Sequence, residues 1–168
     1  MNPALVVHSG GAFYMVSGTA AAKTVIERCT VTSNELSGIE MAGFAGNLVH
    51  ATVRDCSAIV TKIDGLQGVS GFAQYVNDSV IEKSFVKANA SVTAGGQKKW
   101  IVGGLCGLVA NSQILNTYAE LGNFSSRNTP AGSSVGGFVG RVENSVIRDS
   151  FVRATLLETV SGMSGTSQ

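Results

Sequence analysis

Residues 104–119 read Gly104-Leu105-Cys106-Gly107-Leu108-Val109-Ala110-Asn111-Ser112-Gln113-Ile114-Leu115-Asn116-Thr117-Tyr118-Ala119, and the same scheme returns elsewhere in the chain. Its opening is matched by Gly43-Phe44-Ala45-Gly46, Gly71-Phe72-Ala73-Gln74 and Gly137-Phe138-Val139-Gly140. Nine residues after each bulky residue stands an aliphatic one, Val53, Ile81, Ile114 or Ile147. Three residues later comes a small one, Cys56, Ser84, Thr117 or Ser150. An earlier copy keeps the second half of the scheme in Ile26 and Cys29, with about four extra residues between Phe13 and Ile26. Measured at the aliphatic position, the copies are spaced 27, 28, 33 and 33 residues apart.

Within each copy the apolar residues alternate with a period of two, which marks short strands and not helices. A unit of this size cannot bury its own apolar face and must stack on its neighbours. The expected fold is therefore all-β: a right-handed parallel β-helix, or β-solenoid, of about five rungs with 27–33-residue repeats. Residues 1–161 are expected to form this single domain, and 162–168 the truncated start of a further repeat or a tail, because Ser161-Gly162-Met163-Ser164-Gly165 opens the scheme once more. Phe44, Phe72, Leu105 and Phe138 should form one internal ladder, and Ile26, Val53, Ile81, Ile114 and Ile147 a second. Leu156 and Leu157 would then lie near an exposed C-terminal edge, where an adjoining repeat or an end-to-end partner could sit. The Ala-rich stretch Ser17 to Lys23 fits either a helical turn over the other end or a surface loop.

Three further rows test the stacking. Behind the aliphatic ladder the residues read Glu27, Arg54, Glu82, Leu115, Arg148, then Arg28, Asp55, Lys83, Asn116, Asp149, so that charge signs alternate from copy to copy. Opposite charges on adjacent strands support the register. His50, Asp78, Asn111 and Asn144 form a row of turn-type residues. Cys29 and Cys56 share a small-residue row with Ser84, Thr117 and Ser150. That row favours a packing role over a disulfide, and three cysteines without a C-x-x-C pair do not suggest zinc.

Composition narrows the function. Of 168 residues 21 are Gly and only 2 Pro, 14% are charged, and the formal net charge is +1, so no broad basic face exists for nucleic acid. The longest apolar run, Ile101 to Ala110, is ten residues with three glycines, too short to span a bilayer. Met1 to Val7 has no basic n-region and does not read as a secretory signal. Two histidines supply no metal cluster, nucleotide-binding glycine motifs are missing, and no cofactor is expected.

The repeat resembles the GLUG motif, named for its Gly-Leu-hydrophobic-Gly core, through Gly104-Leu105-Cys106-Gly107 and the downstream Asn111, Ile114 and Asn116-Thr117-Tyr118-Ala119. The resemblance extends over residues 40 to 155, with Phe for Leu in three copies and Gln74 for the closing glycine in one. It implies a repeat module of large secreted or surface proteins of bacteria, outside any catalytic domain, and it carries no catalytic residues.

The two 33-residue repeats are lengthened just before the next Gly-Gly, at Thr93 to Val102 and Ser125 to Val135. These segments hold the candidate ligand-binding residues Lys98, Lys99, Trp100, Arg127 and Asn128, since an indole beside cations suits a sugar or an acidic group. The competing reading turns Trp100 inward and leaves the lysines solvated. Gly132-Ser133-Ser134-Val135-Gly136 has the G-x-S-x-G spacing but lacks the strand-then-helix setting of a nucleophile elbow. His50 beside Asp78 and Ser79 has triad residue types, which stacked turns explain equally. The expectation is a non-catalytic, adhesin-like display and binding module, extracellular or at the cell surface as part of a longer chain, with a glycan or a host or neighbour-cell protein as partner. Alternatives are a carbohydrate-active β-helix enzyme, a phage tailspike fragment, and a purely structural spacer.

Overall fold

The computed structural model describes residues 8–88, 92–94, 101–126 and 132–159, and every strand pairing among them is parallel. Three sheets wrap one core. The first is narrow and five strands deep: β2 (Phe13–Ser17), β5 (Ala45–Val49), β8 (Ala73–Asn77), β13 (Cys106–Ala110) and β17 (Val139–Glu143). The second follows it around a corner and is also five deep: β3 (Thr24–Glu27), β6 (Ala51–Arg54), β9 (Val80–Glu82), β14 (Gln113–Leu115) and β18 (Val146–Arg148). The third, the wide face, collects nine strands: β1 (His8–Gly10), β4 (Thr30–Ala42), β7 (Ser57–Ser70), β10 (Phe85–Ala88), β11 (Val92–Ala94), β12 (Ile101–Gly103), β15 (Tyr118–Ser126), β16 (Ser134–Gly136) and β19 (Phe151–Thr159). The chain visits the three sheets in turn, as a β-solenoid must.

Register follows the repeat. Ile26 pairs with Val53, Val53 with Ile81, Ile81 with Ile114 and Ile114 with Ile147. The amide of Phe44 donates to the carbonyl of Phe72 at 2.8 Å, Phe72 to Leu105 at 2.7 Å and Leu105 to Phe138 at 2.7 Å. Phe44 and Phe72 stack in the core with centroids 4.6 Å apart and planes 6° from parallel. The glycine before each bulky residue is a steric requirement. A Cβ on Gly43 would overlap the Gly71 carbonyl oxygen, one on Gly71 that of Gly104, and one on Gly104 that of Gly137.

The two corners of the narrow side share one design. His50, Asp78, Asn111 and Asn144 at the first corner, and Arg28, Asp55, Lys83, Asn116 and Asp149 at the second, all hold φ between 45° and 53°. That left-handed conformation is uncommon for non-glycine residues. The residue after each one turns a small side chain inward. Its hydroxyl accepts the backbone N–H of the same corner one rung earlier: Ala51 N to Ser79 Oγ, Ser79 N to Ser112 Oγ and Ser112 N to Ser145 Oγ, each at 3.0 Å. The hydroxyl then donates back along its own chain, Ser79 to Asn77 O at 2.7 Å and Ser112 to Ala110 O at 2.6 Å. The second corner repeats this with Cys56 N to Ser84 Oγ and Thr117 N to Ser150 Oγ, both at 3.1 Å. Each left-handed turn would otherwise leave a buried amide unpaired, and the interlocked hydroxyl removes that cost.

Cys56 takes the place of a hydroxyl in this row, its Sγ accepting Cys29 N–H at 3.4 Å and donating to Arg54 O at 3.2 Å. All three cysteines are free thiols, with Cys56 and Cys106 buried. Burial pushes the Cys106 thiol up to about 12 and also raises Cys56.

Three details refine the sequence reading. In the first rung Ala12, not Phe13, occupies the bulky column, since Phe13 pairs with Ala45; its ring still packs on Phe44 at 5.4 Å. The extra residues there are 19–23, a surface loop closed by Thr19 N to Ala22 O at 2.9 Å and the reciprocal bond at 3.1 Å. The first charge row forms an ion-pair ladder, with Arg54 Nε 2.7 Å from Glu27 Oε1 and 3.7 Å from Glu82 Oε1. Arg54 Nε makes no hydrogen bond in this ladder, so these contacts are ion pairs. The second row makes no ion pair between rungs among the described residues; Arg28 instead lies 3.7 Å from Glu27 of its own rung.

Candidate binding face

The residues singled out in the sequence, Lys98, Lys99, Trp100, Arg127 and Asn128, lie outside the described residues. Their anchors do not. Ala94, the last residue of β11, pairs with Ser126, the last of β15, and Ile101, the first of β12, pairs with Ser134, the first of β16. The two insertions thus leave the wide face from partnered residues and return to it at partnered residues, on neighbouring rungs.

The return point is fastened by Gln74, the residue that breaks the glycine pattern. Its side chain is buried, its Nε2 donates to Ile101 O at 2.8 Å, and its Oε1 accepts from Ser70 Oγ at 2.6 Å. A Cβ on the facing Gly68 or Gly107 would collide with the Gln74 amide. Sequence reading saw only a lapse in the motif; the signal was a large amide at a column otherwise held by glycine. Next to it Tyr75 donates to Glu40 Oε2 at 3.1 Å, and burial together with the Glu40 charge pushes the phenol up to about 12.

The outer surface of the wide face carries two rows absent from the sequence reading. Successive residues of a strand point to opposite sides, so Phe85 and Lys87 face outward together, as do Tyr118 with Glu120 and Phe151 with Arg153. The rings of Phe85 and Tyr118 stack at 5.0 Å and 3°, and those of Tyr118 and Phe151 at 5.3 Å and 7°. Beside them Lys87 Nζ lies 3.6 Å from Glu120 Oε2. These charged residues, with Leu121, Gly122 and Thr155, line an open cleft of about 310 Å³. On the same sheet Lys62 bridges Asp64 and Glu35, and its hydrogen bonds to those two carboxylates raise its pKa.

The other candidate chemistry is differently placed. Ser79 is buried and gives its proton to Asn77 O, while His50 is a left-handed corner residue. Ser134 of the G-x-S-x-G stretch opens strand β16. Among the described residues no group of three or more His, Cys, Asp and Glu side chains could hold a metal ion, and no helix is long and apolar enough to cross a membrane.

Corner rows, glycine column and parallel register define a repeat-built β-solenoid. The family model described as the GLUG motif matches residues 131–156, the copy centred on Gly137-Phe138-Val139-Gly140. The chain carries a GLUG motif and is consistent with a GLUG-motif repeat protein. No curated protein and no solved structure matches it.

Proposed function

We propose that this chain is a non-catalytic repeat module of a bacterial surface or secreted adhesin-like protein, extracellular or at the cell surface, that displays a face for glycan or protein ligands. The observation that carries the reading is the shared anchoring of the two insertions on paired residues of adjacent rungs. Gln97-Lys98-Lys99-Trp100 and Arg127-Asn128 belong in sequence to the stretches between those anchors, and per-repeat insertions of a solenoid are where binding surfaces form. The cleft chemistry supports binding over turnover. Among the described residues of its lining the one carboxylate is Glu120, whereas glycoside hydrolysis ordinarily uses a pair.

The test is a screen of the purified chain against immobilised glycans and soluble polysaccharides, followed by titration calorimetry on any hit. Saturable binding without product release is expected, weakened at least about tenfold by Trp100→Ala with the thermal midpoint unchanged. Release of shortened sugars would replace the proposal with the enzymatic reading. Binding indifferent to Trp100→Ala, Lys98→Ala and Lys99→Ala would remove the insertions from the binding face.

A further inference from the structure

The cleft on the wide face lies where the strands break their alternation. Val60 and Ile63 on β7, and Leu121 and Phe124 on β15, are buried although each pair is three positions apart, so two successive residues stand outside between them. On β15 these are Gly122 and Asn123, and Gly122, having no side chain, leaves the space beside it open. Lys87, Glu120 and Arg153 line the cleft from one position on three adjacent rungs.

The row runs cation, carboxylate, cation. Lys87 Nζ approaches Glu120 Oε2 to 3.6 Å, while Arg153 has no carboxylate partner among the described residues. The guanidinium can therefore grip an anion through two parallel hydrogen bonds. Glu120, when ionised, accepts hydrogen bonds and donates none. A phosphate or sulfate group offers acceptors only, so it would satisfy Arg153 and repel Glu120. A ligand that fits the whole row brings a planar anion and hydroxyl donors together. Two residues back along the same strands, about 7 Å away, Phe85, Tyr118 and Phe151 stack into an outward apolar row against which C–H groups can pack.

We propose that this cleft is a subsite for a hexuronic acid unit of an acidic glycan. Arg153 grips the carboxylate, Lys87 adds to the attraction, Glu120 accepts the sugar hydroxyls, and the aromatic row packs against the C–H surface of the saccharide. The assignment rests on the reading of the wide face as glycan-binding and narrows it to saccharides that carry carboxylates.

Titration calorimetry of the full chain with β-1,4-linked tetraglucuronate and with cellotetraose tests this without any substitution, since the two sugars differ only in carboxylate against hydroxymethyl. Tetraglucuronate should bind at least about tenfold more tightly at low salt. Most of that margin should vanish in about 0.5 M sodium chloride. Arg153→Gln should remove about tenfold of the tetraglucuronate affinity with the thermal midpoint unchanged, and Arg153→Lys should recover only part of it, because an ammonium lacks the fork. Gly122→Leu, which fills the cleft, should weaken tetraglucuronate binding to a similar extent. Equal affinity for the two sugars, no binding of either, a tetraglutamate peptide bound as tightly as tetraglucuronate, or indifference to both Arg153→Gln and Gly122→Leu would overturn the proposal. Cellotetraose bound in a Trp100-dependent way, with tetraglucuronate ignored, would overturn it and leave the glycan-binding reading standing. Tetraglucuronate bound with full affinity by the Trp100→Ala variant would uphold the cleft and remove the insertions from the binding face.

Discussion

Beyond the loop of residues 19–23 in the first rung, the narrow side of the stack counts residues strictly, and the wide face does not. Thirteen residues separate Phe44 from Ser57, Phe72 from Phe85, Leu105 from Tyr118 and Phe138 from Phe151. Across the wide face the next glycine column is reached 14 residues after Ser57 but 19 after Phe85 and after Tyr118. The difference has a physical cause. At the serine and threonine corners a left-handed residue is followed by an inward hydroxyl that bonds both the rung before and its own strand, so an added residue there would break two hydrogen bonds and expose a buried amide. On the wide face β10, β11 and β12 pair as short separate segments, and the connections between them carry no such interlock. The solenoid keeps its register on one side and varies its surface on the other.

Substitutions inside the core of the narrow side should separate the two regions most strongly. Phe72→Ala removes a fully buried ring that stacks on Phe44 and should cost about 4 kcal/mol in urea unfolding. Trp100→Ala on the insertion should leave the urea midpoint within about 0.5 kcal/mol of the parent. Equal losses at both positions would erase the distinction.

Gly71→Ala should come next, at about 3 kcal/mol, because its Cβ would meet the Gly104 carbonyl oxygen and both Val86 methyl carbons. The backbone oxygen cannot rotate away as a side chain would. A thermal midpoint unchanged by this substitution would show that the rungs can separate locally, and the glycine column would lose its steric meaning.

Ser112→Ala should cost about 2 kcal/mol, since it leaves the Ser79 amide without its acceptor in the core. Cys56→Ser should stay within about 1 kcal/mol, because the hydroxyl resumes the role it has in the three rungs that follow. Alkaline unfolding sharpens the same point. The buried Cys106 thiol holds its proton up to about 12, against 9.0 ordinarily, so the stability it contributes is intact below pH 9 and declines from there toward pH 12. Cys106→Ala should flatten that decline.

Much of this was legible in the repeat itself. Phe44 over Phe72 over Leu105 over Phe138, the aliphatic ladder and the Glu27–Arg54–Glu82 ion pairs all follow from aligning copies, because parallel stacking places equal positions over one another. The corner interlock was only half visible. Asn111 and Asn144 announce a turn, but Arg28 and Lys83 do not look like left-handed residues, and only the stacked backbone imposes that conformation on them. Ala12 in the bulky column escaped notice because Phe13 beside it offered the stronger apolar signal. The outward rows of the wide face needed knowledge of which side of β10, β15 and β19 meets solvent. Phe85 and Lys87 alternate with Val86 and Ala88, and alternation alone does not say which set is buried.

The ion-pair ladder is the weakest contributor to stability. Arg54 is nearly half exposed and lies within 4 Å of Glu27 and Glu82. Exposed pairs of this kind contribute under about 1 kcal/mol and are screened by salt. Arg54→Leu should therefore lower stability by less than about 1 kcal/mol at low salt and by nothing measurable in concentrated sodium chloride. Its larger consequence concerns register. A strand slipped by one residue would set Glu27 against Asp55 and Asp55 against Glu82, so like charges would meet where opposite ones now do. Arg54→Glu should accordingly harm the yield of refolded protein more than Arg54→Leu does, and added salt should recover the difference. If the two variants refold alike at low salt, the hydroxyl corners and the glycine column set the register without help from charge.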